Sequence, residues 1–411
     1  MGRSFVLAVC LLAPVSAAEA PSWDANYEAG LGATKAGRYA EARALLADSL
    51  EQARAFSQPD VRHVQSAHSL ALVEQQQGQL EHAGALYLEA KSSLEEMGSA
   101  GKPLLGYVLD GLGQVRLDQG RLNEAEPLLR QAQALCRETR GSNDICTLTT
   151  QKDLGEVLAS AGSNGEAERL FQNLVDTMRK MPSPPAELFA STLSNLGGLY
   201  TVNGRYELAE PLLDESLEVG RRGLVAEVVI ADSVVNLADL YRLEHNAGRA
   251  QPLLKKALHI YESANDPHQA AALNELGLIA MEEGKFAVAK DHFSRALNIY
   301  EHLVGSTHMS VARVKGQMAQ ALLGERNYKQ AKSMIEDALN TGRQVLGVAQ
   351  SEFAGLLLVA GRVEEQGHRT KEAGEYYRQA VEVCRETLAA GHPERTEAEQ
   401  QYARFTKSQR Q

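Results

Sequence analysis

Alanine follows glycine by five residues at Gly37/Ala42, Gly78/Ala83, Gly120/Ala125, Gly162/Ala167, Gly204/Ala209 and Gly284/Ala289. It recurs at Ala250, Ala331 and Ala373, where His245, Arg326 and His368 stand in the glycine slot. Successive alanines lie 41, 42, 42, 42, 41, 39, 42 and 42 residues apart. Nine copies at so even a spacing dictate an array of stacked units, each leaning on its neighbours, rather than a globule around one core. A hydrophobic fraction of 44% with only 5% aromatics fits helices packed through Ala and Leu.

Each copy reads as two helices. Seven residues before the glycine slot stands a small residue: Gly30, Ala71, Gly113, Gly155, Gly197, Ala238, Gly277, Ala319 and Gly361. A larger side chain there would hold a partner helix away. The alanine after the slot does the same from the second helix, and the glycine between them ends the first helix in a left-handed conformation. The expected unit is therefore a helical hairpin. Pro127, Pro211 and Pro252 each fall two residues after the alanine, which places them in the first turn of the second helix, where no N–H bond is needed. Breaker-rich stretches separate the copies: 98–103, 141–144, 181–185, 265–267, 305–308 and 391–393. The segment 181–185, with three prolines, reads as a long inter-repeat loop because the register continues across it. His308 and His392 lie in such loops and are expected to cap or hydrogen-bond locally.

The segment NLGGLYTVNGRYELAEPLL (Asn195–Leu213) carries the pattern most fully, with NLADLYRLEHNAGRAQPLL and NELGLIAMEEGKFAVAK as close variants. It resembles the tetratricopeptide repeat, and the 42-residue period resembles the longer repeats of kinesin light chains and their bacterial relatives. The resemblance implies an all-α, right-handed superhelical α-solenoid of about nine hairpins plus a C-terminal capping helix. The repeats would span 23–63, 64–105, 106–147, 148–189, 190–230, 231–269, 270–311, 312–353 and 354–395. Residues 396–411 would form the cap, with Tyr402-Ala403 in the Leu-Gly slot. The extra length of each repeat would extend its helices near the inter-repeat loop, as in Ala296–Tyr300.

In this family the first helices line a concave groove that holds a peptide or partner helix. Carrying those slots over gives Asp110, Gln114, Lys152, Glu156, Ser194, Asp239, Arg242, Asn274, Arg313 and Arg362, with Asp118, Thr201, Met281, Glu282, Gln320, Leu358 and Glu365 beside them. The paired asparagines of kinesin light chains are incomplete here: Asn195 and Asn236 fill one slot and Asn274 the other. Lys152, Arg242, Arg313 and Arg362 are spread among acids, so the carboxylate clamp of co-chaperones is not formed. A mixed-charge groove favours a polar or mixed-charge partner.

The first twenty residues differ from the rest. Arg3 precedes the apolar run 5–15, and small residues allow a cut after Ala20 or Ala18, the signature of a secretory signal peptide over 1–20. Val9 before Cys10 is too bulky for a lipoprotein cut. Ser22 would then cap the first helix. Export would permit a disulfide between Cys136 and Cys146, although Cys384 shares the repeat slot of Cys136 and speaks for plain apolar packing there. A net charge of −11 weighs against nucleic acid as a partner. No zinc spacing, P-loop or nucleophile elbow is present, so neither metal nor cofactor is expected. No run of 18 apolar residues follows the leader, and no membrane span is expected in the mature chain.

The sequence thus points to a non-catalytic, exported interaction scaffold that binds a protein or peptide. The alternative is an intracellular regulatory or co-chaperone module with an uncleaved N-terminus. Neither partner nor oligomeric state is legible.

Overall fold

The computed structural model of the protein describes residues 23–57, 59–223, 225–264, 266–346 and 351–409. The expected leader, Cys10, both cleavage points and the Ser22 cap lie outside these residues. Apart from a 3-10 turn at Gly98–Ala100, every regular element among the described residues is an α-helix. The first helices of the hairpins are α1 (Trp23–Lys35), α3 (Val61–Gln76), α5 (Lys102–Asp118), α7 (Ile145–Ser160), α9 (Ala186–Val202), α11 (Glu227–Leu243), α13 (Gln269–Glu282), α15 (Met309–Gly324) and α17 (Ser351–Gln366). Their partners are α2 (Tyr39–Arg54), α4 (Leu80–Glu96), α6 (Leu122–Arg140), α8 (Asn164–Arg179), α10 (Tyr206–Arg222), α12 (Ala247–Ala264), α14 (Phe286–Val304), α16 (Tyr328–Leu346) and α18 (Thr370–Thr387). A last helix, α19, spans Pro393–Ser408. The chain is an all-α solenoid of helical hairpins.

Two compact bodies divide these elements, one of residues 23–160 with Gly165–Leu188, the other of Ala161–Asn164 with residues 189–409. The division follows directly on the proline-rich segment 181–185.

All nine glycine-slot residues take the left-handed backbone, including His245 (φ 60°), Arg326 (φ 60°) and His368 (φ 56°). The turn closes as a Schellman pair. In the first hairpin Arg38 N–H donates to the Ala33 carbonyl at 2.9 Å and Gly37 N–H to Thr34 at 3.0 Å. Asn327 to Leu322 at 2.8 Å and Arg326 to Leu323 at 2.9 Å repeat the pair without a glycine. A side chain in this region costs about 1–2 kcal/mol, partly offset by the greater unfolded-state freedom of glycine. Arg326 is exposed, so Arg326→Gly is expected to stabilise the protein by about 0.5–1 kcal/mol, read as a higher urea midpoint at unchanged slope.

The seam inside each hairpin follows from the small-residue slot. A Cβ added at Gly113 would lie 2.7 Å from the Leu129 side chain, at Gly155 2.5 Å from Phe171, at Gly277 2.4 Å from Phe293, and at Gly361 2.7 Å from Tyr377. Each intruder stands one turn after the repeat alanine, and all nine repeat alanines are fully buried. On second helices the buried positions form one stripe, such as Ala125, Leu129, Ala132 and Cys136 on α6. First helices are covered on more sides. On α5 the buried set runs Val108, Leu109, Gly111, Leu112, Gly113, Gln114 and Val115, because both its own partner helix and the neighbouring hairpins press on it. Polar residues on its remaining face are therefore half-buried before any ligand arrives.

The structure departs from expectation in several places. Pro127, Pro211 and Pro252 lie inside their helices, each as the sixth residue and not in the first turn. The helix begins three residues ahead of the alanine, so each proline forfeits a bond to the carbonyl of Asn123, Glu207 or Gly248. Those three residues are exposed, and water can serve the carbonyls. Apart from α1, which starts at its expected boundary, the first helices begin one to four residues before the repeat boundaries drawn from sequence. Their starts are set by caps such as Asp60, whose side chain accepts from Arg62 N–H. His308 caps α15 by accepting from Ser310 N–H at 3.1 Å. His392 occupies the corresponding place on α19 but makes no cap bond. Ala403 is exposed in its small-residue slot.

Candidate partner-binding surface

Polar side chains of successive first helices are joined across the repeat. In the first body Trp23 Nε1 donates to Ser66 Oγ at 2.9 Å, Tyr27 and Ser69 hydroxyls meet at 3.1 Å, and Gln114 Nε2 reaches Glu156 at 3.5 Å. In the second, Asn236 Nδ2 donates to Ser194 Oγ at 2.9 Å, Arg242 to Glu282 at 3.1 Å, and Arg362 Nε to Gln401 at 3.0 Å. These partners are about one repeat apart, so the face read as a partner groove also holds hairpins in register.

The sequence-derived residues separate into distinct settings. Asp110, Gln114 and Lys152 line one cavity of about 40 Å³ in the first body. Lys152, only 4% exposed, donates to Asp153 at 2.6 Å and Glu156 at 2.8 Å. Burial works against its ammonium, but the two carboxylates outweigh that and raise its pKa above the ordinary lysine value. His68, Gln75 and Tyr87 share the cavity and were not picked out from sequence. A signal existed: His68 and Leu72 stand in the same repeat slots as Asp110 and Gln114, one copy earlier. Burial pushes the His68 imidazole down to about 4, so it is neutral at physiological pH.

In the second body Asp239 and Arg242 belong to one cluster. The Arg242 guanidinium meets Asp239 at 2.6 Å, Glu275 at 2.7 Å and Glu282 at 3.1 Å. Burial, then the Asp239 charge, push Glu275 up to about 7 against the pull of Arg242. Asn274 is buried beside it, its amide 3.4 Å from Glu275. Ser194 is buried and engaged by Asn236 instead. Arg313 is exposed and hydrogen-bonds Tyr300. Arg362 pairs with Glu397 at 2.9 Å and, with Met281, Gln320 and Glu365, lines an open pocket of about 450 Å³. The structure thus gathers four sequence-derived groove residues from α13, α15 and α17 at one place. Cys136 and Cys146 are bonded, with Cα atoms 5.6 Å apart; Cys384 is a free, buried thiol. Among the described residues no group of His, Cys, Asp or Glu is placed to hold a metal ion. No helix there is long and apolar enough to cross a membrane.

Comparison with known proteins agrees with this geometry. The Arabidopsis thaliana protein Kinesin light chain-related 3 is 24% identical over 77% of this chain and 49% of its own length. A clustered mitochondria protein homolog of Aspergillus niger is 24% identical over 60% of the chain and 18% of its own. The chain spans about half or less of the curated relatives it matches. A Rap protein crystallised with Competence and Sporulation Factor is 14% identical, covers 90% of this chain and 99% of its own, and superimposes with a TM-score of 0.66; at that identity the likeness speaks for the fold. The Tetratricopeptide repeat family pattern matches residues 105–180, 188–263 and 268–344, more than half of the sequence. With that match, the left-handed turn at every slot and the small-residue seam, the chain belongs to the tetratricopeptide repeat family, with repeats resembling those of kinesin light chains.

Proposed function

We propose that this protein is a non-catalytic scaffold that receives a protein or peptide along its first-helix face and works outside the cytoplasm. Tetratricopeptide repeat proteins are in general interaction scaffolds, and one observation supports the reading most: Met281, Gln320, Arg362 and Glu365, from three successive hairpins, converge on one open pocket of mixed polar and apolar lining. Convergence of that kind comes from stacking and creates a surface that no single hairpin has. The mixture of guanidinium, carboxylate, amide and thioether suits recognition of side chains rather than one charged terminus.

Capture of partners from periplasm or culture medium tests the reading, with Met281→Asp as the groove variant. Loss of a specific captured protein at unchanged melting temperature is the expected result; undiminished capture would remove the pocket from the binding surface. Arg242 is unsuitable for such a test, since three carboxylates depend on it. N-terminal sequencing of the expressed protein tests export: a start after Ala18 or Ala20 supports it, and a start at Met1 opposes it.

The Cys136–Cys146 bond supports an oxidising compartment. It closes a sequence separation of 10 residues, worth about 3 kcal/mol in the loop-entropy picture. Reduction is therefore expected to lower the melting temperature, and a Cys136→Ala, Cys146→Ala variant should melt at the reduced value in either condition.

A further inference from the structure

The cavity of the first body has chemistry that the scaffold reading does not use. It is walled by α3, α5 and α7, with Tyr87 of α4 at its side. Its ionised walls are already engaged. Lys152 holds Asp153 and Glu156, Gln114 and Gln75 donate to Glu156 and Asp118, and Asp110 has an interaction of its own. A visiting charge finds no counter-charge to spare, and burying it unpaired costs far more than burying a neutral group.

Two neutral side chains of α3 differ from those walls. Gln75 is 5% exposed and His68 6%, yet Gln75 Oε1 and His68 Nδ1 are buried without a hydrogen-bond partner among the described residues. Gln75 Nε2 is the atom that donates to Asp118, so the atom left over is an acceptor. The His68 ring, pushed down to about 4 by burial, is neutral and offers one N–H and one lone pair. Together the two call for a group that both donates and accepts. Unmet polar atoms in a low-dielectric site are costly, and natural sites reserve that cost for a ligand or ordered water.

Spacing and size narrow the choice. His68 and Gln75 line the same cavity but stand about 10 Å apart along the α3 axis, too far for the one oxygen of a hydroxyl to meet both. A carboxamide carries its donors and its acceptor on separate atoms. About 40 Å³ is room for roughly three water molecules, at 10–15 Å³ each, which matches the nitrogen, carbon and oxygen of one such head.

We propose that the α3–α5–α7 cavity is an anchoring pocket for the carboxamide of an asparagine or glutamine side chain on a peptide or protein partner. The carboxamide N–H serves Gln75 Oε1, and its oxygen accepts from the His68 ring. The proposal rests on the scaffold reading and assigns it a chemical preference: the partner carries an uncharged amide where it crosses the first body.

The test uses the full-length protein and four small probes of nearly one shape. Propanamide is the carboxamide; butanone accepts but cannot donate, propanoate is the anion and propanamidinium the cation. Each is titrated while the His68 ring C–H resonances, assigned by comparison with His68→Gln, are followed by NMR. Saturable movement of those signals by propanamide is expected, with at least about tenfold weaker binding of the other three. Gln75→Met, which removes the acceptor at similar length, should weaken propanamide binding by about tenfold. Leu72→Trp, which fills the cavity from its α3 wall and leaves both polar groups in place, should abolish it. Circular dichroism and melting establish that each variant is folded, and Gln75→Met carries the test should Leu72→Trp not fold. Equal or tighter binding of any comparator, an unchanged response in Gln75→Met, or still His68 signals, as a cavity holding water alone would give, overturns the proposal. Any of these results together with intact partner capture by the second body leaves the scaffold reading standing and removes only this pocket.

Discussion

Phe293→Ala is expected to destabilise the protein by about 3–5 kcal/mol, among the largest effects of any single truncation in the chain. Phe293 is fully buried, and its ring fills the space left by the missing side chain of Gly277, where a Cβ would lie 2.4 Å away. The complementary change, Gly277→Ala, forces the ring aside and should cost about 1–3 kcal/mol. The two are not independent. In the double variant the added methyl enters the cavity left by the ring, so the combined loss should fall short of the sum by at least about 1 kcal/mol. Chemical denaturation of the four proteins closes the cycle. Strict additivity would mean that α13 and α14 are not held at their spacing by this pair, and the account of the small-residue slot would fail with it.

Arg242→Ala is expected to cost a similar amount, about 3–5 kcal/mol near pH 8, since it leaves Asp239, Glu275 and Glu282 facing one another without a cation. The loss should shrink toward pH 5, where Glu275 takes up a proton. Wild type carries a weaker version of the same dependence. The carboxyl of Glu275 is raised to about 7 from 4.5, so between those values the folded state binds more protons than the unfolded one. Stability contributed by the group is present at the acid end and declines as pH rises through that window. Glu275→Gln should flatten the decline while keeping a hydrogen bond to the guanidinium. A wild-type profile that rises from pH 5 to 7 with no change in the variant would contradict this assignment.

The hairpin architecture was legible in the sequence because it rests on steric exclusions that repeat. Gly155 opposite Phe171 leaves the same trace as Gly113 opposite Leu129, and nine such traces are hard to mistake. His245, Arg326 and His368 could be placed in the glycine slot by spacing alone, and their left-handed backbones follow from the turn rather than from their own preferences. The prolines mislead because the alanine does not mark the helix start, which lies three residues earlier. Site chemistry was less legible. Slot arithmetic located Asp110 and Lys152, but whether a polar residue on that face is free or committed depends on partners a repeat away, as with Gln114 and Glu156. His68 was overlooked since the slots were not carried back one copy. Glu275 could not have been read in advance: its elevated pKa comes from burial that no local pattern records and, after that, from Asp239 on another helix.

The two kinds of contact described above differ in what they connect. The seam pairs, such as Gly361 with Tyr377, lie wholly within a hairpin, while the polar links, such as Asn236 with Ser194, bridge two of them. Excising one complete copy from the gene would therefore carry each buried pair along intact, and the shortened protein would still possess well-formed units. Only at the splice would strangers meet, with donors and acceptors that had never been matched to each other. Lineages that gain or lose copies should accordingly show their compensating changes on the inner helices bordering the junction.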